Sequence, residues 1–182
     1  MSIAKDYLDT TTRRLKYYKD LGEKAMAQLT TDELNFQPGP ESNSIAIIVR
    51  HLGGNMLSRW TNFLTEDGEK SWRQRDDEFK EGKYTAAELN DCWEKGWACL
   101  LDTLGKLRKK DLKKSIQIRQ ESLTVVDAIN RQLAHYPYHI GQILFIARMI
   151  KGAGWKNLSI PKGGSAQYNQ AATVKDPAKN YQ

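Results

Sequence analysis

Long apolar runs are the first thing this sequence of 182 residues lacks. The strongest, at positions 45–49 and 143–146, fall far short of the roughly 20 apolar residues that cross a bilayer, so no membrane-spanning helix is expected. The opening stretch, Met1 to Tyr7, holds no apolar signal region and reads as the start of a helix, which makes the cytoplasm the expected address. Cysteine is scarce too. Cys92 and Cys99 lie seven apart on one predicted helix, about 10 Å between Cα atoms and beyond the roughly 7 Å limit for a disulfide. Neither has a Cys or His at ligand spacing, so neither a disulfide between them nor a cysteine metal site is expected, and both residues read as small buried groups of a reducing compartment.

Strong one-sided charge is also missing. Lys and Arg number 28 against 22 Asp and Glu, a net +6, and most basic residues alternate with acids. The one dense basic run, Lys106 to Lys114, reads as a helix end and loop in which cations complement the helix dipole. Nucleic acid is therefore not an expected partner. No Ser-His-Asp set, paired-carboxylate motif, dinucleotide fingerprint or repeat occurs. Lys162-Gly163-Gly164-Ser165 lacks the spacing of a phosphate loop and follows no strand. With 40% hydrophobic and 27% charged residues, the chain has the make-up of one ordinary globular domain.

What is present is helical periodicity. A first helix is predicted from about Ile3 to Leu29, and a second from about Ile45 to Leu64 behind the caps Ser42, Asn43 and Ser44. Gly53 and Gly54 sit inside the second helix, where each costs about 1 kcal/mol against Ala, a cost consistent with close approach of a neighbouring helix or a ligand. Thr65 to Lys83 reads as a long polar surface connection. A capping box, Thr85 with Glu88, opens a third helix that ends near Gly105. Alternation between Ser115 and Val126 admits a short hairpin. The fourth helix runs from about Thr124 to Lys151, stopped by Gly152 and Gly154, with Pro137 expected to kink it. The expected fold is all-α: a four-helix bundle over residues 1–155, with an irregular tail, 156–182, packed on it.

The candidate chemistry lies in the only three histidines. His135 and His139, four apart on the fourth helix, stack on one face about 6 Å apart at Cβ, where both can reach one metal ion. His51 lies on the second helix, whose apolar stripe must face the interior and can oppose the pair. Three imidazoles leave a position open, as a catalytic site requires; a closed structural site would need a carboxylate such as Glu94 or Asp127, and neither has a strong claim. Asn55, one turn beyond His51, and Gln142, three beyond His139, suit hydrogen bonds to an imidazole or a bound water, and suit equally the polar edge of an apolar stripe. Arg131 and Arg148 can meet an acidic substrate but read better as a solvated face.

Arg50-His51-Leu52-Gly53-Gly54-Asn55, taken with Leu133-Ala134-His135-Tyr136-Pro137-Tyr138-His139-Ile140-Gly141-Gln142-Ile143, resembles the DinB/YfiT-like metalloenzymes. The resemblance spans nearly the whole chain, and Leu158 to Ser165 is similar to one bacterial branch. It implies a four-helix bundle, often a homodimer, with one nickel or zinc ion on His51, His135 and His139. Pro137, between the paired ligands, is the departure from the pattern. The activity implied is transfer of a low-molecular-weight thiol to a small electrophile, in detoxification. Metal-dependent hydrolysis of a small amide or ester is the alternative, and a non-enzymatic helical dimer with a structural metal or a macromolecular partner is the third reading.

Overall fold

The computed structural model describes residues 2–181. Each long helix starts where a short polar side chain satisfies its first free amides. Ser2 accepts from Lys5 N to open α1 (Ile3–Met26). Thr30 and Glu33 form a capping box that opens α2 (Thr31–Asn35), a helix too short for periodicity to reveal. Ser44 caps α3 (Ile45–Trp60), and the Thr85–Glu88 box opens α4 (Ala86–Lys106). Thr124 caps α5 (Val125–Lys151), which runs through Pro137 without interruption. A short α6 (Ser165–Gln170) follows in the tail.

The chain is mostly helical but not all-α. Two strands, β1 (Ser115–Ile118) and β2 (Glu121–Thr124), pair antiparallel, with Ile118 opposite Glu121 and a two-residue turn between them. The alternation that admitted a hairpin is physical: Ile116 and Ile118 are buried while Ser115 and Gln117 are exposed.

Helix α3 packs on α4 and α1 on α5, and contacts of α3 with α5 and of α1 with α4 close the set. α3 is buried on nearly every side, as a central helix must be. Around it lie the fully buried Trp60, Trp93, Trp97 and Tyr136, with Leu52, Met56, Leu100 and Ile140 among them. Two glycines set the spacing of α3 and α4. A Cβ on Gly53 would stand 2.8 Å from the Cys92 carbonyl oxygen, and one on Gly96 would stand 2.9 Å from the Gly53 Cα.

The segment between α3 and α4 is the polar surface connection expected, but it does more than connect. It folds back on α3 and buries Lys70, Arg73 and Glu78. Its 3₁₀ turn, Arg75–Phe79, ends in carbonyls that need donors. Arg50 of α3 supplies them, donating to the carbonyls of Asp77 (2.7 Å), Glu78 (3.1 Å) and Lys80 (3.3 Å) while its guanidinium stacks on Tyr84. The tail lies along α1: Lys156 N donates to Gln28, Arg14 pairs with Asp176, and Tyr181 donates to Asp20.

Gly53→Ala is expected to destabilise the fold by about 1–3 kcal/mol, because the added methyl meets the Cys92 carbonyl as well as its sulfur, and the backbone cannot yield as a side chain can. Gly141→Ala, on an open stretch of α5 with nothing within 4 Å of the added carbon, is expected to gain up to about 1 kcal/mol. Urea denaturation of both variants checks the pair; equal effects would contradict the α3–α4 packing described.

Candidate metal centre

α3 presents His51 toward α5, which presents His135 and His139 one turn apart. The Nε2 atoms of His51 and His135 are 3.4 Å apart, and those of His135 and His139 are 3.1 Å apart. All three ligand atoms lie within 4.8 Å of one another. An ion with nitrogen ligands at about 2.0–2.1 Å in tetrahedral array needs nitrogens about 3.3–3.4 Å apart. Two of the three separations fit, the third being held within 4.8 Å, and Pro137 does not misdirect the His135–His139 pair.

The opposite ring nitrogens decide what those Nε2 atoms carry. His51 Nδ1 faces Glu78 Oε2 at 3.0 Å, His135 Nδ1 faces Gln132 Oε1 at 3.2 Å, and His139 Nδ1 faces Gln142 Oε1 at 2.7 Å. A carboxylate only accepts, so His51 Nδ1 is the donor. The Gln142 amide is oriented by its Nε2 donating to Tyr138 Oη at 3.1 Å, which turns its oxygen to His139. With the proton on Nδ1 of each ring, three Nε2 lone pairs converge on one point. Bare lone pairs repel at this separation. A divalent cation at their meeting point removes that repulsion, and the donor set suits one.

Burial, joined by the neighbouring His139 and His51, pushes the His135 pKa down to about 3. Burial also lowers that of His139, against the opposing bond to Gln142. Both rings are therefore neutral at pH 7, the form in which imidazole binds metal.

Glu78 is the residue the sequence reading missed. Burial opposes its ionisation, but the bonds from His51 and from Arg73 outweigh burial and hold its carboxyl below the usual range. Arg73 grips it with Nε at 2.8 Å and Nη2 at 2.9 Å. Room for it comes from Gly54: a Cβ there would meet the Glu78 carboxylate, with Cδ at 2.8 Å. The Phe79 ring then packs on His51 with centroids 4.9 Å apart. The available signals were a glycine three residues after His51 and the aromatic Phe79 inside a polar stretch. Gln132 was legible by the i, i+3 spacing that identified Gln142. Gln142 does bond a ligand-position imidazole. Asn55 does not: it accepts from Tyr136 Oη at 3.1 Å, and that hydroxyl accepts from Trp60 Nε1 at 2.9 Å. Burial pushes the Tyr136 pKa up, so this phenol stays protonated.

A cavity of about 230 Å³ opens beside His51 and His135, walled by Asn55, Gln132 and five arginines, with no carboxylate on its lining. A larger groove of about 710 Å³ between α1 and the end of α4 holds no histidine or cysteine.

Residues 2–164 match a family described as protein of unknown function, DUF1572. The chain belongs to that family. Comparison with curated proteins returns no match. Among solved structures, one described as the crystal structure of the conserved protein of locus from Enterococcus faecalis is similar in fold: 18% sequence identity, 84% of this chain and 99% of that chain covered, TM-score 0.60.

Protonation of His135 links the DUF1572 site to stability. Unfolded histidine titrates near 6.5, above the folded value of His135, so between about pH 6.5 and 3 the unfolded chain binds more protons. Stability is then full above pH 6.5 and falls as pH drops through this window. The metal-free chain is expected to lose urea resistance from pH 6.5 to 5, where carboxylates remain ionised, and His135→Gln to flatten the loss. A flat wild-type profile would contradict neutral, desolvated imidazoles.

Proposed function

We propose that the chain is a metal-dependent enzyme of the DinB/YfiT-like kind, a four-helix bundle with one divalent nickel or zinc ion on Nε2 of His51, His135 and His139. The observation that carries this reading is the convergence of three Nε2 lone pairs, each ring being turned to that role by an acceptor on its Nδ1. A divalent ion bound there supplies Lewis acidity, lowering the pKa of a thiol or water that takes its open position.

The protein's own residues do the rest. Glu78, Gln132 and Gln142 fix the tautomer and aim of each ring and raise its basicity. The resident carboxylate is spoken for: Glu78 is held between His51 and Arg73 and does not line the cavity. A thiol ionises without a protein base, whereas hydrolysis gains from a base beside the water. The absence of a free carboxylate on the cavity lining therefore favours transfer of a low-molecular-weight thiol to a small electrophile over the hydrolysis of a small amide or ester. A structural metal is disfavoured for another reason. Among the described residues the cluster gathers the three histidines and no fourth ligand; of the candidate carboxylates, Glu94 is paired with Lys19, and Asp127 lies in the first turn of α5, two turns before His135.

A homodimer in the cytoplasm belongs to the same proposal. Its support is the exposure of Tyr138, Phe145 and Met149 on α5, spaced seven and four apart and so on one face.

Elemental analysis of untagged protein is expected to find about one transition metal per chain, largely lost in His135→Ala. Glu78→Gln keeps the ligands but removes the charge that supports His51, and is expected to weaken metal affinity about 10–100-fold. Wild-type protein that holds no metal and takes up neither zinc nor nickel on titration would overturn the proposal.

A further inference from the structure

The cavity beside the histidines is unusual in its charge. Five arginines line it: Arg59, Arg73, Arg75, Arg119 and Arg131. Arg59 and Arg73 are buried; Arg75, Arg119 and Arg131 are exposed. Carboxylates offset part of this charge from behind. Glu78 binds Arg73, and Glu69 binds both Arg59 and Arg119. Arg75 has only the distant, solvated Asp76 at 3.7 Å, and no ion pair holds Arg131 among the described residues. Five cations against two anions, around a space this small, repel one another. Two of their nitrogens are also left without partners: Arg73 Nη1 and Arg59 Nε are buried with no hydrogen bond, and orphaned buried donors are rare in folded proteins.

The fold spends backbone conformation on the arrangement. Arg119 sits in the hairpin turn with φ +54°, next to Gln120 with φ +65°, a left-handed pair that turns of this length usually fill with Asn and Gly. Asp67 holds the turn by accepting from both amides, at 2.9 and 2.8 Å. Such strain persists where the surroundings over-determine it, and collects at functional sites. Arg75 is set differently, its guanidinium lying over Phe79 at 4.9 Å, the same ring that packs on His51. Arg131, which the sequence placed on a solvated face, is one turn before His135 and on the same cavity wall.

We infer that this cavity binds the carboxylate or phosphate of a small anionic metabolite through Arg75, Arg119 and Arg131, next to the open side of the three-histidine site. Guanidinium forks match both oxyanions, two N–H groups to two oxygens. At about 230 Å³ the cavity is below the range for drug-sized ligands, so the occupant is one small molecule rather than a stretch of polymer. Casting that molecule as the substrate or co-substrate rests on the metalloenzyme reading; its binding does not.

Isothermal titration of the metal-free full-length chain with inorganic phosphate, and separately with succinate, at ionic strength held constant with chloride, tests the inference. Saturable binding of at least one anion is expected, about tenfold or more weaker in Arg131→Gln and in Arg75→Gln and unchanged in Lys109→Gln, which removes a charge elsewhere on the surface. The tighter of the two anions identifies the group. Both cavity variants replace exposed side chains, and circular dichroism confirms their fold. Absence of saturable binding at millimolar anion, or equal affinity in all four chains, would overturn the inference. Metal content of Arg131→Gln separates the two readings: lost anion binding with metal uptake retained isolates the cavity, and retained anion binding in a His135→Ala chain leaves the cavity standing if the metal reading fails.

Discussion

The buried hydrogen bond from His51 Nδ1 to Glu78, 3.0 Å long, ties together everything that gives this protein a site. It fixes the tautomer of the one histidine that α3 contributes. It also makes the α3–α4 connection part of the centre. The bond exists because Arg73 neutralises Glu78 with two hydrogen bonds, Arg50 anchors the carbonyl of Glu78 itself, and Gly54 leaves the space its carboxylate occupies. The short run from Arg50 to Asn55 is thus almost fully accounted for. Arg50 binds the connection, His51 faces the other imidazoles, Gly53 admits α4, Gly54 admits Glu78, and Asn55 receives the buried Tyr136 hydroxyl.

Charge inside the domain is handled by pairing at close quarters. Breaking a buried ion pair by removing one partner typically costs about 3–5 kcal/mol, although the intact pair adds little net stability. The Arg73–Glu78 pair is therefore better understood as fixing geometry than as holding the fold together. Stability comes from the tryptophan-rich core between α3, α4 and α5. That core surrounds one side of the histidines and lowers the pKa of His135 and His139 by desolvation. The arginines border the other side, next to the cavity. An imidazole set between an apolar wall and a cationic one suits a divalent ion whose remaining partner is an anion.

What could be read from the sequence was what helical spacing encodes. His135, His139 and Gln142 share a face because 3.6 residues make a turn, and His51 faces them because α3 is apolar on nearly every side. The starts of α3 and α4 were visible in their caps. What could not be read arises from contacts between distant segments. Glu78, Arg73 and Arg119 sit in polar stretches that look solvated until the connection and the hairpin fold over α3. Asn55 suited an imidazole, a bound water or the polar edge of the stripe equally, because nothing local shows that the Tyr136 hydroxyl lies nearer. The hairpin was admitted by its alternation, but two four-residue strands weigh too little against 27 residues of α5 to displace an all-α expectation. Of the three Nδ1 partners, Gln142 and Gln132 obey local helical spacing, whereas Glu78 is brought to His51 only by the fold.

That pattern is open to direct observation. Long-range ¹⁵N–¹H correlation spectra of the metal-free chain at pH 7.5 report the tautomer of each of its three histidines. The Nδ1–H tautomer for all three, with the Nε2 resonances alone shifting when zinc is added, is the result this account requires. An Nε2–H tautomer at His51, or zinc-induced shifts at its Nδ1, would contradict it, because the lone pairs would then not converge and Glu78 would not be the residue that aims the ring.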